Sequence, residues 1–309
     1  MIVVAGEALI DLVPQESTGA SGTGDAGLPA LAPRLGGGPY NTAVALGRLG
    51  SPVAFCSRIS ADAFGDALVD GLRGAGVDVS YVQRGAEPTT LAVASIGADG
   101  SAGYSFYVEG TADRLFRAPE RLPDGVRAVS FGTCSLVLEP GASAYEELMR
   151  GESARGVFTA LDPNIRAGLI PDADAYRARF KSWLPSVALL KLSEDDASWL
   201  GGTPREWLAS GPGAVVITRG GSGLTVFTRD GGEWSVPGER VDVVDTIGAG
   251  DTVNAALLHG LRARDALSVE ALSGLGADRW GEVLRFAARA AAVTVSRAGA
   301  EPPYAREVD

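Results

Sequence analysis

One repeated pattern constrains this chain of 309 residues more than any other. Short apolar runs of strand length alternate with stretches of helical spacing, and a polar or glycine-rich cluster follows most of the runs. Ile2-Val3-Val4-Ala5 and Val53-Ala54-Phe55-Cys56-Ser57 read as buried strands. Small and apolar residues over 42–50 read as a helix ended by Gly50, and 62–74 as an amphipathic helix with Phe64, Leu68 and Leu72 on one face. Further strands are predicted over 128–131, 157–162, 187–192 and 214–218, and helices over 142–150, 173–183 and 284–296. Such an order predicts an α/β fold, a mostly parallel sheet with helices on its faces.

Two stretches interrupt the alternation. Leu91-Ala92-Val93-Ala94-Ser95-Ile96 and Gly103-Tyr104-Ser105-Phe106-Tyr107-Val108 flank Ala98-Asp99-Gly100-Ser101, which reads as a hairpin. Residues 17–30, rich in Gly, Ala, Ser and Pro, read as a surface loop. A small hairpin is expected across Asp230-Gly231-Gly232. No internal repeat or linker stands out, which points to a single α/β domain over 1–309.

Composition excludes several functions. At 46% hydrophobic residues the chain can bury a core, and a net charge of −11 argues against nucleic-acid or anionic-membrane partners. No apolar run is long enough to span a membrane, and the N-terminus lacks the basic lead of a signal peptide. Cys56 and Cys134 form no C-x-x-C pair, so a disulfide framework or zinc knuckle is not expected and a reduced cytoplasm is the natural compartment. His259, the single histidine, rules out a histidine-cluster metal site and reads as a helix-surface or buried residue.

The polar clusters carry the chemistry. In Val243-Val244-Asp245-Thr246-Ile247-Gly248-Ala249-Gly250-Asp251-Thr252 an apolar start, read as a strand end or turn entry, leads through a glycine-rich turn into a helix. Free amides at a helix start attract an anion, and Asp251 beside them could take a proton from an attacking hydroxyl. Asp251 could equally be only an N-cap. Ligands in open parallel sheets bind beyond the carboxyl ends of the strands. Asp162-Pro163-Asn164-Ile165-Arg166, Lys191-Leu192-Ser193-Glu194, Thr218-Arg219-Gly220 and Gly248 to Asp251 all follow strands. They should gather at one edge, which favours the functional reading of Asp251.

Two motifs then resemble a family. Gly36-Gly37-Gly38-Pro39-Tyr40-Asn41-Thr42-Ala43 looks like the N-terminal signature of the ribokinase-like (PfkB) sugar kinases, and Asp245 to Asp251 looks like their C-terminal one. Asp62-Ala63-Phe64-Gly65, Gly76-Val77-Asp78, Lys191-Leu192-Ser193, Thr218-Arg219-Gly220 and Arg297-Ala298-Gly299-Ala300 fall in the family's order. The resemblance implies a three-layer ribokinase-like fold with a small β-sheet lid over about 10–37 and 89–110. It implies ATP-dependent phosphorylation of a sugar hydroxyl, with Asp251 as base and the amides of Gly248, Ala249 and Gly250 as anion hole. Sugar contacts are expected from Asp11, Gly37, Gly38, Asn41, Tyr107, Asn164 and Arg166, and nucleotide contacts from Lys191, Ser193, Thr218, Gly220 and Gly223. Mg2+ is expected on the phosphates without a protein metal cluster. A monovalent cation (K+) is considered near Asp245 and Ile247 with carbonyls of 296–299. The partners are a small sugar and ATP, and the lid allows a homodimer.

Phe106-Tyr107-Val108-Glu109-Gly110-Thr111-Ala112-Asp113 resembles the lid segment of bacterial fructokinases, which points to fructose. A 2-keto-3-deoxygluconate kinase would favour a second cation on the lid, but Val108 stands where many relatives carry Arg after the aromatic pair, which weakens that reading. Ser193 and Asp196 replace a frequent Asn and Glu, Ala288 a frequent Asn, and Pro303 a common Ser. A ribose or nucleoside kinase and, from another class, a non-catalytic sugar or nucleotide sensor are the remaining alternatives. A nicotinamide dehydrogenase is set aside, because Gly6-Glu7-Ala8 follows the first strand where G-x-G-x-x-G would be needed.

Overall fold

A computed structural model describes residues 1–15, 30–96 and 102–308. Most of the expected loop over 17–30 and the Asp99-Gly100 turn lie outside the described residues. The chain runs β1 (Ile2–Ala5), β2 (Leu9–Pro14), β3 (Leu31–Gly36), α1 (Gly38–Arg48), β4 (Val53–Ser60), α2 (Ala63–Gly74), β5 (Val82–Gly85), β6 (Leu91–Ile96) and β7 (Ala102–Tyr107). It continues β8 (Ala128–Gly132), α3 (Gly141–Ala154), β9 (Phe158–Asp162), α4 (Ala173–Trp183), β10 (Leu189–Ser193), α5 (Glu194–Leu200), α6 (Pro204–Ser210) and β11 (Ala214–Thr218). The last elements are β12 (Leu224–Thr228), β13 (Glu233–Val236), α7 (Ala249–Arg262), α8 (Val269–Ser273) and α9 (Gly276–Val295).

A nine-stranded sheet has the order β13-β12-β11-β10-β9-β8-β1-β4-β5. Its strands are parallel from β5 to β11, and β12 and β13 are antiparallel. Alternation along each strand sorts side chains to two faces. Ile2, Val4, Phe55, Ala160 and Val216 join α1, α2, α7 and α9 in one core. Val3, Ala5, Cys56, Leu161 and Val215 join α3, α4, α5 and α6 in the other. Three layers result, helices on both faces of one sheet. A second sheet, β3-β2-β6-β7, pairs β2 with β6 in parallel and makes both outer pairs antiparallel.

Helix starts follow local chemistry. Asp62 caps α2 by accepting from the Gly65 N–H at 2.7 Å. Ser193 and Asp196 form a capping box at α5, and Thr203 and Glu206 another at α6. Two expectations change. Val243 and Val244 do not end a strand. They are 63% and 62% exposed in an irregular stretch tied to α9 by the Val244 N–H donating to Val295 O. Phe64 is 38% exposed although Leu68 and Leu72 are buried. Residues four apart drift by about 40° around a helix, so the stripe reaches the rim at its first residue.

Candidate active site

Because β1, β8, β9, β10 and β11 run the same way, Glu7, Thr133, Asp162, Asn164 and Thr218 reach one edge of the sheet. α7 starts at this edge. Gly248, at φ 76°, is its N-cap in a left-handed turn that glycine enters without strain. Asp251 is therefore not the cap. It is the third residue of the helix and 7% exposed. The Ala249 N–H, expected in the anion hole, donates to Thr246 O at 3.3 Å. The N–H groups of Gly248, Gly250 and Asp251 meet no acceptor among the described residues and carry the positive end of α7.

Two clefts meet at this helix start, and Gly250 borders both. The larger, about 550 Å3, is lined by Asp11, Gly37, Gly38, Asn41, Asn164 and Arg166 from the expected set, with Gly248, Gly250 and Asp251. Tyr104 and Phe106 line it, and Tyr107 does not. Tyr107 is 62% exposed, because neighbouring strand residues point to opposite faces and the Leu91–Tyr107 register puts 104 and 106 toward the cleft. The smaller cleft, about 150 Å3, is bordered by Thr218, Gly220, Gly223, Val253, Ala288 and Val295.

Asn41 lies inside α1, and its Nδ2 donates to Asp251 Oδ2 at 2.9 Å. Asp251 Oδ1 has no partner among the described residues. Burial pushes the Asp251 carboxyl up to about 6; the Asn41 bond and Lys191 oppose the shift and Asp162 adds to it. Burial likewise pushes Asp11 up to about 6, against the pull of Arg166. Lys191 is 4% exposed and its Nζ donates to Asp162 Oδ2 at 2.8 Å. Burial disfavours its ammonium, but Asp162, with Asp251 and Asp196, outweighs that and raises its pKa. A Cβ on Gly250 would stand 3.0 Å from this Nζ, so the buried cation lies directly under the helix start. Ser193 does not line the smaller cleft, because its hydroxyl is used as the α5 cap.

Arg166 is exposed, donates to Asn164 Oδ1 at 2.7 Å and has no carboxylate within salt-bridge distance among the described residues. Glu7 and Thr133 were missed from the sequence, yet both line the larger cleft. Only their place after β1 and β8 could have signalled them. Asp245 accepts from the N–H groups of Ile247 and Gly299 at 3.0 and 2.8 Å, which joins the 245–247 turn to the 296–299 segment. His259 is half-buried on α7, with its Nδ1 2.9 Å from Ser51 Oγ.

The chain matches the pfkB family carbohydrate kinases over residues 1–306 and belongs to that family. It is a carbohydrate kinase. It is 39% identical to a fructokinase of Rhizobium leguminosarum bv. trifolii over 283 residues, 89% of this chain and 84% of that one. It is 32% identical to fructokinase-2 of Oryza sativa subsp. japonica over 314 residues, covering 98% and 90%. The fold is similar to the crystal structure of a fructokinase from Xylella fastidiosa with bound ATP: TM-score 0.86, 30% identity, covering 99% of this chain and 96% of that one.

Proposed function

We propose that this kinase transfers the γ-phosphoryl group of ATP to a primary hydroxyl of a small sugar, with D-fructose going to fructose 6-phosphate. The observation that carries the reading is the placement of Asp251: a buried carboxylate at the positive end of α7, between two clefts, with Oδ2 held by Asn41 and Oδ1 free. A sugar in the larger cleft gives its hydroxyl proton to Asp251 Oδ1 as its oxygen bonds to phosphorus and ADP leaves. The amides of Gly248, Gly250 and Asp251 stabilise charge on the transferring group, with Lys191 beneath them. The small-residue walls of the second cleft, Val253, Ala288, Ala291, Ala292 and Val295, suit a flat purine. Mg2+ bound to ATP would neutralise charge on its phosphates. Among the described residues no group of three or more His, Cys, Asp or Glu could hold a metal by itself.

Fructose is supported by the fructokinase relatives and by Asp11, a carboxylate suited to hydroxyls and repelled by an acid. One observation favours a second reading. The Arg166 guanidinium in the same cleft, which meets no carboxylate within salt-bridge distance among the described residues, would suit the carboxylate of 2-keto-3-deoxygluconate. ADP release, measured over fructose, ribose, 2-keto-3-deoxygluconate and a nucleoside, tests both. Turnover on fructose is expected. Turnover on the keto-deoxy acid alone replaces fructose as substrate, and turnover on none defeats the catalytic reading in favour of a sensor.

A further inference from the structure

Among the described residues, three that are not glycine have a left-handed backbone: Thr133 at φ 62°, Asn164 at 41° and Asp265 at 51°. Two of the three border the larger cleft. For a β-branched residue such as Thr133 this conformation is costly, and it persists only where the surroundings enforce it. Here buried carboxyls enforce it from other elements. Glu7 Oε2 accepts from the Ser135 N–H at 3.0 Å, while Ser135 Oγ donates to Gly132 O at 2.6 Å, which closes the turn around Thr133. Asp196 Oδ1 accepts from the Ile165 N–H at 2.8 Å and fixes the residue after Asn164.

Both held residues aim at one point. A Cβ on Gly38 would stand 2.5 Å from Thr133 Oγ1 and 3.2 Å from both Asn164 Nδ2 and Asp251 Oδ1. The missing side chain of Gly38 thus leaves a space bordered by a hydroxyl, an amide and the free oxygen of Asp251. Hydrogen-bond direction decides what the hydroxyl offers. Arg166 can only donate, so Asn164 must turn Oδ1 toward it at 2.7 Å. Asn164 Nδ2 then faces Thr133 Oγ1 and donates to it at 3.4 Å. Thr133 Oγ1 is an acceptor in that bond, and its own proton is free to be donated elsewhere.

Resting on Asp251 as base, we propose that Thr133 is a substrate-contacting donor whose hydroxyl hydrogen-bonds the oxygen of the sugar hydroxyl that Asp251 deprotonates. That oxygen then accepts from Thr133 and donates its proton to Asp251 Oδ1. Its remaining lone pair is left for phosphorus. The left-handed backbone of Thr133 is what brings the donor to the side of Gly38, and Glu7 and Asp196 are positioning residues behind it.

The test compares Thr133→Val, Thr133→Ala and Thr133→Ser with Asp251→Asn, on fructose or whichever sugar of the panel the wild type turns over. Thr133→Val is expected to lower kcat/KM for the sugar by about 10- to 100-fold with KM for ATP unchanged, and Thr133→Ser to keep most of the activity. Thr133→Ala gives the same loss and serves if the valine variant fails to fold, which thermal unfolding reports. Full activity of the folded Val or Ala variant, with Asp251→Asn inactive, overturns the assignment of Thr133 alone. An active Asp251→Asn, or a wild type inactive on every sugar, overturns the base assignment and this inference with it. A rise in KM for ATP equal to the loss on sugar identifies a merely structural role and overturns the inference too.

Discussion

Asp251, Asp11 and Glu7 are three buried or half-buried carboxyls bordering one cleft, and each is shifted upward. A base must be deprotonated to act, so with Asp251 at about 6 the rate should fall as pH drops through that value. The kcat/KM profile should show an acid limb near pH 6, to which Asp11 in the same cleft also contributes, and Asp251→Asn should lower kcat by about 10²- to 10⁴-fold with its thermal midpoint retained. A profile flat to pH 5 would count against Asp251. Glu7 tests stability instead. Burial, opposed by amide hydrogen bonds including that of Ser135, pushes it from 4.5 to about 7. A carboxyl whose pKa is raised by folding stabilises the fold fully below its ordinary value, and that contribution is lost as pH rises through the folded one. The thermal midpoint should therefore decline between pH 5 and 8, and Glu7→Gln should flatten the decline. Asp11 and Asp251 act with the same sign at slightly lower pH, so a residual slope near 6 is expected in that variant.

Between elements, the site depends on how closely the start of α1 approaches the start of α7. Asn41 and Thr42 on α1 both bond to Asp251, at 2.9 Å through its Oδ2 and 3.4 Å through its backbone O. Gly38 keeps the space beside them open. Gly38→Ala places a methyl 2.5 Å from Thr133 Oγ1, where a flexible chain end is not available to yield. Activity should fall further than stability: kcat/KM for the sugar drops by about 10² or more, while the overlap costs about 1–3 kcal/mol in denaturant unfolding. Equal losses of both would mean the space serves packing only.

For the whole molecule, the sheet divides two cores that carry different duties. The face with α1, α7 and α9 supports the catalytic helix, and the face with α3, α4, α5 and α6 supports the strands from behind. Phe180, 1% exposed and edge-on to Trp183 and Trp207, belongs to the second face. Phe180→Ala should cost about 3–5 kcal/mol in denaturant unfolding. Because α7 stands on the other side of the sheet, KM for both substrates should stay unchanged in the folded fraction at low temperature.

Strand-helix alternation, the position of β1 and the bounds of α4 were legible in the chain because apolar period and turn residues act locally. The same locality made Gly248 to Asp251 readable as an anion site and the clusters after β9 and β11 as its neighbours. Strand β5 and helices α6 and α8 were not anticipated, since short elements are settled by what they pack against. The sequence by itself determined the three-layer class, a carboxylate at a glycine-rich helix start, and the family; that Asp251 is the third residue of the helix and not its cap came from the tertiary structure. Only the tertiary structure decided that Tyr104 and Phe106 rather than Tyr107 face the cleft, because strand register sets the face. It also decided that Lys191 is buried against Asp162, and that Thr133 reaches the space beside Gly38 while Glu7 holds the turn behind it. These depend on side chains far apart in the chain meeting at one sheet edge, and no local pattern encodes that meeting.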